Sequence, residues 1–160
     1  MTFKLCIIGP ESTGNHWISD VFALHPDVQV YNQSYPCYKY HARRYIPAPE
    51  ILTDTINEQS WLIILTRDIN IIQLATQNAG HNAKQPQDAF NIWTTLDKLH
   101  EQICQWPNKN IEFFSYESFI MWQDNYLIHI LRKIGLDPQK MPFDKIQYKN
   151  GNTKYISNYK

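Results

Sequence analysis

"FKLCIIGPESTGNHWISDVF", residues 3–22, sets the architecture of the chain. Phe3 to Gly9 is a short, almost continuous apolar run ending in Gly-Pro, the pattern of a strand buried on both faces. From Asn15 onward, Trp17, Ile18, Val21 and Phe22 recur at i, i+1, i+4 and i+5, which is one face of a helix. Between the two, Gly9 and Gly14 keep the spacing of a phosphate-binding loop, G-x-x-x-x-G-K-[ST]. Asn15 stands where that pattern has lysine, and His16 where it has Ser or Thr.

Such a strand–loop–helix unit offers main-chain N–H groups and the positive end of a helix dipole to an anion. That capacity belongs to the backbone and survives the loss of Lys and Ser. Ser12 and Thr13 add hydroxyl donors. Turnover is a separate matter. In nucleoside-triphosphate enzymes the lysine reaches the β- and γ-phosphates and the hydroxyl holds Mg²⁺. Asn15 carries no charge, and neutral imidazole at His16 is a poor ligand for a hard, oxygen-seeking cation. Losing one preorganised donor lowers the rate by about 10²–10³, so an ordinary ATPase or GTPase is not expected.

The alternation continues along the chain. "VQVY" (28–31), "WLIILT" (61–66) and "IEFFSY" (111–116) read as further strands. Pro26 ends the first helix at His25. Further helices are expected over 68–79, closed by Gly80, over the amphipathic stretch 88–106, and from about Asp124 to Ile134, stopped by Gly135 with Pro138 behind it. Residues 32–60 are otherwise irregular, apart from a short helix over Glu50–Asn57. Strands alternating with helices predict parallel pairing through right-handed crossovers. The expected fold is therefore α/β: a three-layer α/β/α sandwich with a small, mainly parallel sheet, of the P-loop nucleotide-binding type. A ligand then belongs at the carboxyl edge of the strands, where the loop lies.

At 160 residues the chain forms one domain, 1–160, with a sizeable core. Hydrophobic residues make up 43%, a globular composition rather than a disordered one. No apolar run approaches the roughly 20 residues that span a bilayer, and Met1–Ile8 lacks a basic signal-peptide start. Cys6, Cys37 and Cys104 are widely spaced and odd in number, which suits a reducing compartment. A cytoplasmic location is expected. Formal net charge is zero, so neither a nucleic acid nor a membrane is an expected partner. The charge is unevenly placed, however. In the basic tail 139–160, Lys140, Lys145, Lys149, Lys154 and Lys160 face only Asp144, while Lys39, His41, Arg43 and Arg44 cluster among tyrosines. With the loop, they suggest a positive pocket in a neutral protein. Cys37 and His41 form a metal half-site without a second half, so no metal is expected.

The ordered motifs resemble those of the P-loop sulfotransferases. That family's loop, G-x-P-[RK]-S-G-T-[ST], is followed by a helix and "HP-x-V"; here the stretch is "GPESTGNHWISDVFALHPDV" (9–28). A later family strand ends "hhhhhR-[ND]-P", matched by "LIILTRDI" (62–69). Another ends "YE-[DS]-hh" before a helix closing in "hLGh", matched by "FFSYESFIMWQDNYLIHILRKIGLDP" (113–138). The likeness spans roughly residues 3–138, and "KNGNTKY" (149–155) is similar to the family's donor-gripping segment of glycine and lysine. Family members transfer a sulfuryl group from 3′-phosphoadenylyl sulfate without a metal. The transferred group carries less negative charge than a terminal phosphoryl, so a loop lacking a Mg²⁺ ligand suits it.

The resemblance implies that the loop Gly9, Glu11, Ser12, Thr13, Gly14, Asn15 and His16 wraps the donor's 5′-phosphosulfate. It also implies that Arg67 meets the 3′-phosphate, where a planar guanidinium pairs with two oxygens. The family's loop Arg/Lys falls on Ser12, its two residues after Gly14 on Asn15 and His16, and its proline after "RD" on Ile69. Its Ser eight residues beyond the arginine falls on Ala75, beside Thr76. Missing positive charge is expected from His16, from Lys39, Arg43 and Arg44 on a lid or acceptor loop at 32–60, or from Lys149 or Lys154. His41, then His16, is the expected general base on an acceptor, because histidine titrates near neutrality unaided. His25, His100 and His129 read as structural. The expected partners are a nucleotide donor and a small hydroxyl or amine acceptor, with oligomeric state open. The alternatives are a non-catalytic nucleotide- or anion-binding protein of the same fold, and a divergent P-loop nucleoside or nucleotide kinase.

Overall fold

The structure, a computed structural model, describes residues 3–9, 13–32, 60–78, 100, 104, 106 and 109–153. Four strands, β1 (Phe3–Ile8), β2 (Val28–Asn32), β3 (Ser60–Thr66) and β4 (Ile111–Ser115), form one sheet in the order β2-β1-β3-β4. All its pairings are parallel, with Phe3 opposite Val28, Leu5 opposite Trp61 and Ile64 opposite Phe113. Among the described residues three α-helices accompany it: α1 (Asn15–Ala23), α2 (Ile69–Asn78) and α3 (Tyr116–Lys133).

The period-2 geometry of the strands sorts the apolar residues onto two faces. Leu5 and Ile7 of β1, Ile63 and Leu65 of β3, and Phe114 of β4 pack with Ile18, Val21 and Phe22 of α1 and with Phe119, Leu127, Ile130 and Leu131 of α3. On the alternate positions Cys6, Ile8, Leu62 and Ile64 are also buried. Burial of both faces explains the nearly continuous apolar runs and is compatible with an α/β sandwich. Ile71 and Ala75 of α2 form a separate cluster with Leu74.

The chain runs from β1 outward to β2 in one direction and from β3 outward to β4 in the other. The carboxyl ends of β1 and β3 therefore flank a topological switch point, the position where parallel sheets leave a crevice. Gly9 follows one end and Arg67 the other.

The boundaries at α3 differ most from expectation. Tyr116 belongs to the helix rather than to the strand, because Ser115 is the N-cap and its hydroxyl accepts the Ser118 amide at 3.1 Å. The helix thus starts well before Asp124, and it is broken at Gln123, where φ is 46° and ψ −123°. The expected helix is its second half. Its end follows the reading closely: Gly135 adopts φ 82°, and the amides of Leu136 and Gly135 donate to Leu131 and Arg132. That is a Schellman closure. The expected helix over Glu50–Asn57, Gly80, and most of the 88–106 stretch lie outside the described residues.

Candidate functional site

The loop after β1 is held by close approach and by its own polar groups. Gly9 is buried, and a Cβ added there would lie 2.7 Å from Thr13 Oγ1 and 2.9 Å from Leu65 Cβ. Only glycine lets the chain leave β1 this close to β3. Asn15, where a P-loop has its lysine, turns back into the loop. Its Nδ2 donates to the Gly9 carbonyl at 3.2 Å, and its Oδ1 accepts the Thr13 hydroxyl. Thr13 is fully buried, so that hydroxyl, expected to face an anion, donates within the loop. Gly14 sits at φ 91° as the N-cap of α1, without a side-chain cap among the described residues. His16 is exposed on the first turn of α1. Glu11 and Ser12 lie outside the described residues.

Arg67, one residue past β3, is half-buried and stacks its guanidinium 4.3 Å above the centre of the Tyr116 ring. Its Nε donates to Asn152 Oδ1 at 2.9 Å and its Nη2 donates to the same oxygen. Asn152 in turn donates from Nδ2 to Glu117 Oε1 at 3.2 Å. The same carboxylate oxygen accepts the Asp68 amide at 3.1 Å. Asp68 caps α2, its Oδ1 accepting the amides of Asn70 and Ile71.

Tyr116 joins the pieces. Its buried ring is 3.3 Å from the position of a Cβ built on Gly14, on the side of the loop. Arg67 lies over the ring, and the hydroxyl reaches the tail, accepting the Gly151 amide at 2.8 Å and donating to the Lys149 carbonyl at 3.3 Å. Trp17 of α1 meets the Tyr116 ring edge-on at 5.9 Å and packs against Phe119 with tilted rings at 5.2 Å. Phe119 and Phe114 stack edge-to-face at 5.1 Å, continuing the aromatic contacts into the core. Each such pair adds about 0.5–1.5 kcal/mol beyond area burial, so the hub is anchored on three elements.

The structure thus brings together Gly9, Thr13, Gly14, Asn15, His16 and Arg67 at one edge, with the tail residues 149–152 laid against Arg67 and Tyr116. His41 and Arg44, with the rest of the basic cluster and Cys37, lie outside the described residues, as does Lys154. Ala75 points into the α2 cluster; the side chain of Thr76 is not among those described. Lys140 of the basic tail pairs with Asp27 at 2.6 Å, far along the chain from the loop. His25 is structural: its Nδ1 accepts the Asp27 amide and its Nε2 lies 3.0 Å from the Asp137 carbonyl, an arrangement that fits the Nε2–H tautomer. His100 and His129 are exposed. Among the described residues no group of three or more His, Cys, Asp or Glu is arranged to hold a metal ion.

Sequence reasoning passed over Tyr116, Glu117 and Asn152 as site residues. Their signal was present in the "YES" and "KNGN" motifs, but it became specific only when the fold joined positions 85 apart.

No family model, curated protein or solved structure matches this chain. The chemistry of the site rests on its own residues.

Proposed function

We propose that this chain is a P-loop-type, sulfotransferase-like protein that binds a 3′-phosphoadenylyl sulfate-type donor at Gly9–His16 and Arg67. The observation that supports the reading is the shared contact at Tyr116. The glycine loop, the Arg67 cation and the tail residue Gly151 all abut one ring, at the switch point where a ligand of a parallel sheet belongs. Loop amides meet the 5′-phosphosulfate and the guanidinium meets the 3′-phosphate.

In the transfer, a hydroxyl or amine of a small acceptor attacks sulfur, and the bond from sulfur to the 5′-phosphate oxygen breaks. The acceptor proton passes to His41 or His16, and adenosine 3′,5′-bisphosphate leaves. No metal is required. The free thiols of Cys6 and Cys104 fit a cytoplasmic setting.

A second reading is donor or anion binding without turnover. The specific observation in its favour is Asn15, whose side chain is tied to Gly9 and Thr13 and supplies no charge where a P-loop enzyme has its lysine. A kinase reading is weaker on the same ground and through the absent Mg²⁺ ligand.

Thermal-shift measurements with adenosine 3′,5′-bisphosphate, Mg·ATP and GTP separate these readings. Stabilisation by the bisphosphate is expected, whereas preference for Mg·ATP supports the kinase. Sulfuryl transfer lost in His41→Ala or Arg44→Ala identifies an enzyme. Bisphosphate binding without transfer in the wild type identifies the binding protein.

A further inference from the structure

We infer that Glu117 is a positioning residue for Arg67, acting through the side-chain amide of Asn152. The functional consequence rests on the proposed donor site, but the geometry does not. An asparagine amide carries an acceptor at one end and donors at the other. Facing a guanidinium, which is donor-only, it binds through oxygen and is repelled through nitrogen. Glu117 holds the amide in that orientation from its other end. Its carboxylate oxygen accepts from Asn152 Nδ2 at 3.2 Å, with Oδ1 turned towards Nε and Nη2 of Arg67. Glu117 is itself fixed, because its Oε1 also accepts the Asp68 amide at the carboxyl end of β3. The relay starts and ends on adjacent residues, Asp68 and Arg67, and passes through the first turn of α3 and the tail.

Three hydrogen bonds hold the tail so that the side-chain amide stays in reach. The main-chain N–H of Asn152 donates to Asn150 Oδ1 at 3.0 Å, and the Tyr116 hydroxyl bonds Gly151 and Lys149. Asn152 is buried. The guanidinium plane is therefore set over the Tyr116 ring before any phosphate arrives, which lowers the ordering cost of binding.

Glu117→Gln and Glu117→Ala test the relay, because both remove the charge and only Gln keeps an acceptor oxygen. The first measurement is the Nε–H resonance of Arg67 by nitrogen-edited NMR, without ligand. It should be protected from solvent exchange in the wild type and in Glu117→Gln, and exposed in Glu117→Ala. The second is the Kd for adenosine 3′,5′-bisphosphate and for adenosine 5′-monophosphate. Glu117→Ala should bind the bisphosphate about tenfold more weakly than Glu117→Gln, the scale of one hydrogen bond to a charged group. The two variants should bind the monophosphate alike, whereas a general loss of structure would weaken both nucleotides together. Asn152→Ala should match Glu117→Ala in both measurements. An Arg67 Nε–H still protected in Glu117→Ala overturns the inference. The expected NMR pattern with no bisphosphate binding by the wild type upholds the positioning and overturns the donor reading instead.

Discussion

Tyr116 and Gly151 allow the docking of the tail on the site to be measured as a coupling. A methyl group at position 151 would lie 2.8 Å from the Tyr116 hydroxyl, closer than real side chains approach, so Gly151→Ala must displace the tail or the ring. Overpacking of this kind costs about 1–3 kcal/mol. Tyr116→Phe removes the hydroxyl that accepts the Gly151 amide and donates to the Lys149 carbonyl. Two hydrogen bonds, one of them long and with a partner residue that is exposed, contribute about 1–2 kcal/mol. In the double variant the close contact no longer exists. The next atoms are Arg67 Nη2 at 3.5 Å and Tyr116 Cζ at 3.9 Å, both ordinary separations. The alanine should then cost almost nothing further, and the double variant should resemble Tyr116→Phe alone. The cycle should show a coupling of about 1–3 kcal/mol, within the range for residues in contact. Urea unfolding gives the four free energies. Limited proteolysis of the tail gives the same comparison if the tail undocks below the global transition. Additive single-variant costs would show that Gly151 does not rest on Tyr116, and the site would lose its third side.

Three further outcomes are expected. Asn15→Lys removes the acceptor for Thr13 and the donor to Gly9, so it should lower stability by about 1–2 kcal/mol in urea unfolding. By placing a cation where the phosphate-binding loop pattern has its lysine, it should also tighten bisphosphate binding in a titration. Gln123→Gly relieves a non-glycine residue at φ 46° inside α3. Strain of about 1–3 kcal/mol, less about 0.5–1 kcal/mol for the added backbone entropy, predicts a net gain in the urea midpoint. Burial, and then the Asp124 carboxylate, push the Tyr148 hydroxyl up, and burial pushes the Tyr126 hydroxyl up. With folded values above the unfolded one, the unfolded chain releases these protons first as pH rises. Their contribution is whole below about pH 10 and falls above it, so Tyr148→Phe should flatten the alkaline limb of a stability–pH curve.

The central strands β1 and β3 were legible because burial on both faces leaves nearly unbroken apolar runs, and Gly9, Gly14 and Gly135 mark three of the turns. The first half of α3 was not, for two reasons. "FFSY" reads as continued strand until Ser115 caps a helix, and the exposed Met121 and Trp122 obscure the apolar period just before the break at Gln123. At the site, Gly14 stood out from the loop spacing, and Arg67 only through the family resemblance of "LIILTRDI". The inward role of Asn15 could not be read, because a pattern records only that lysine is missing and not where the replacement side chain turns. The Arg67–Asn152–Glu117 relay depends on contacts between distant segments, which spacing along the chain does not encode.

The most direct test is a calorimetric titration of adenosine 3′,5′-bisphosphate into the wild-type chain and into Arg67→Ala, without added metal. Saturable one-to-one binding by the wild type, weakened at least tenfold in Arg67→Ala, is the result expected if loop and guanidinium grip opposite ends of one ligand. No binding, or equal binding by the two proteins, would contradict a bisphosphate site between Gly14 and Arg67.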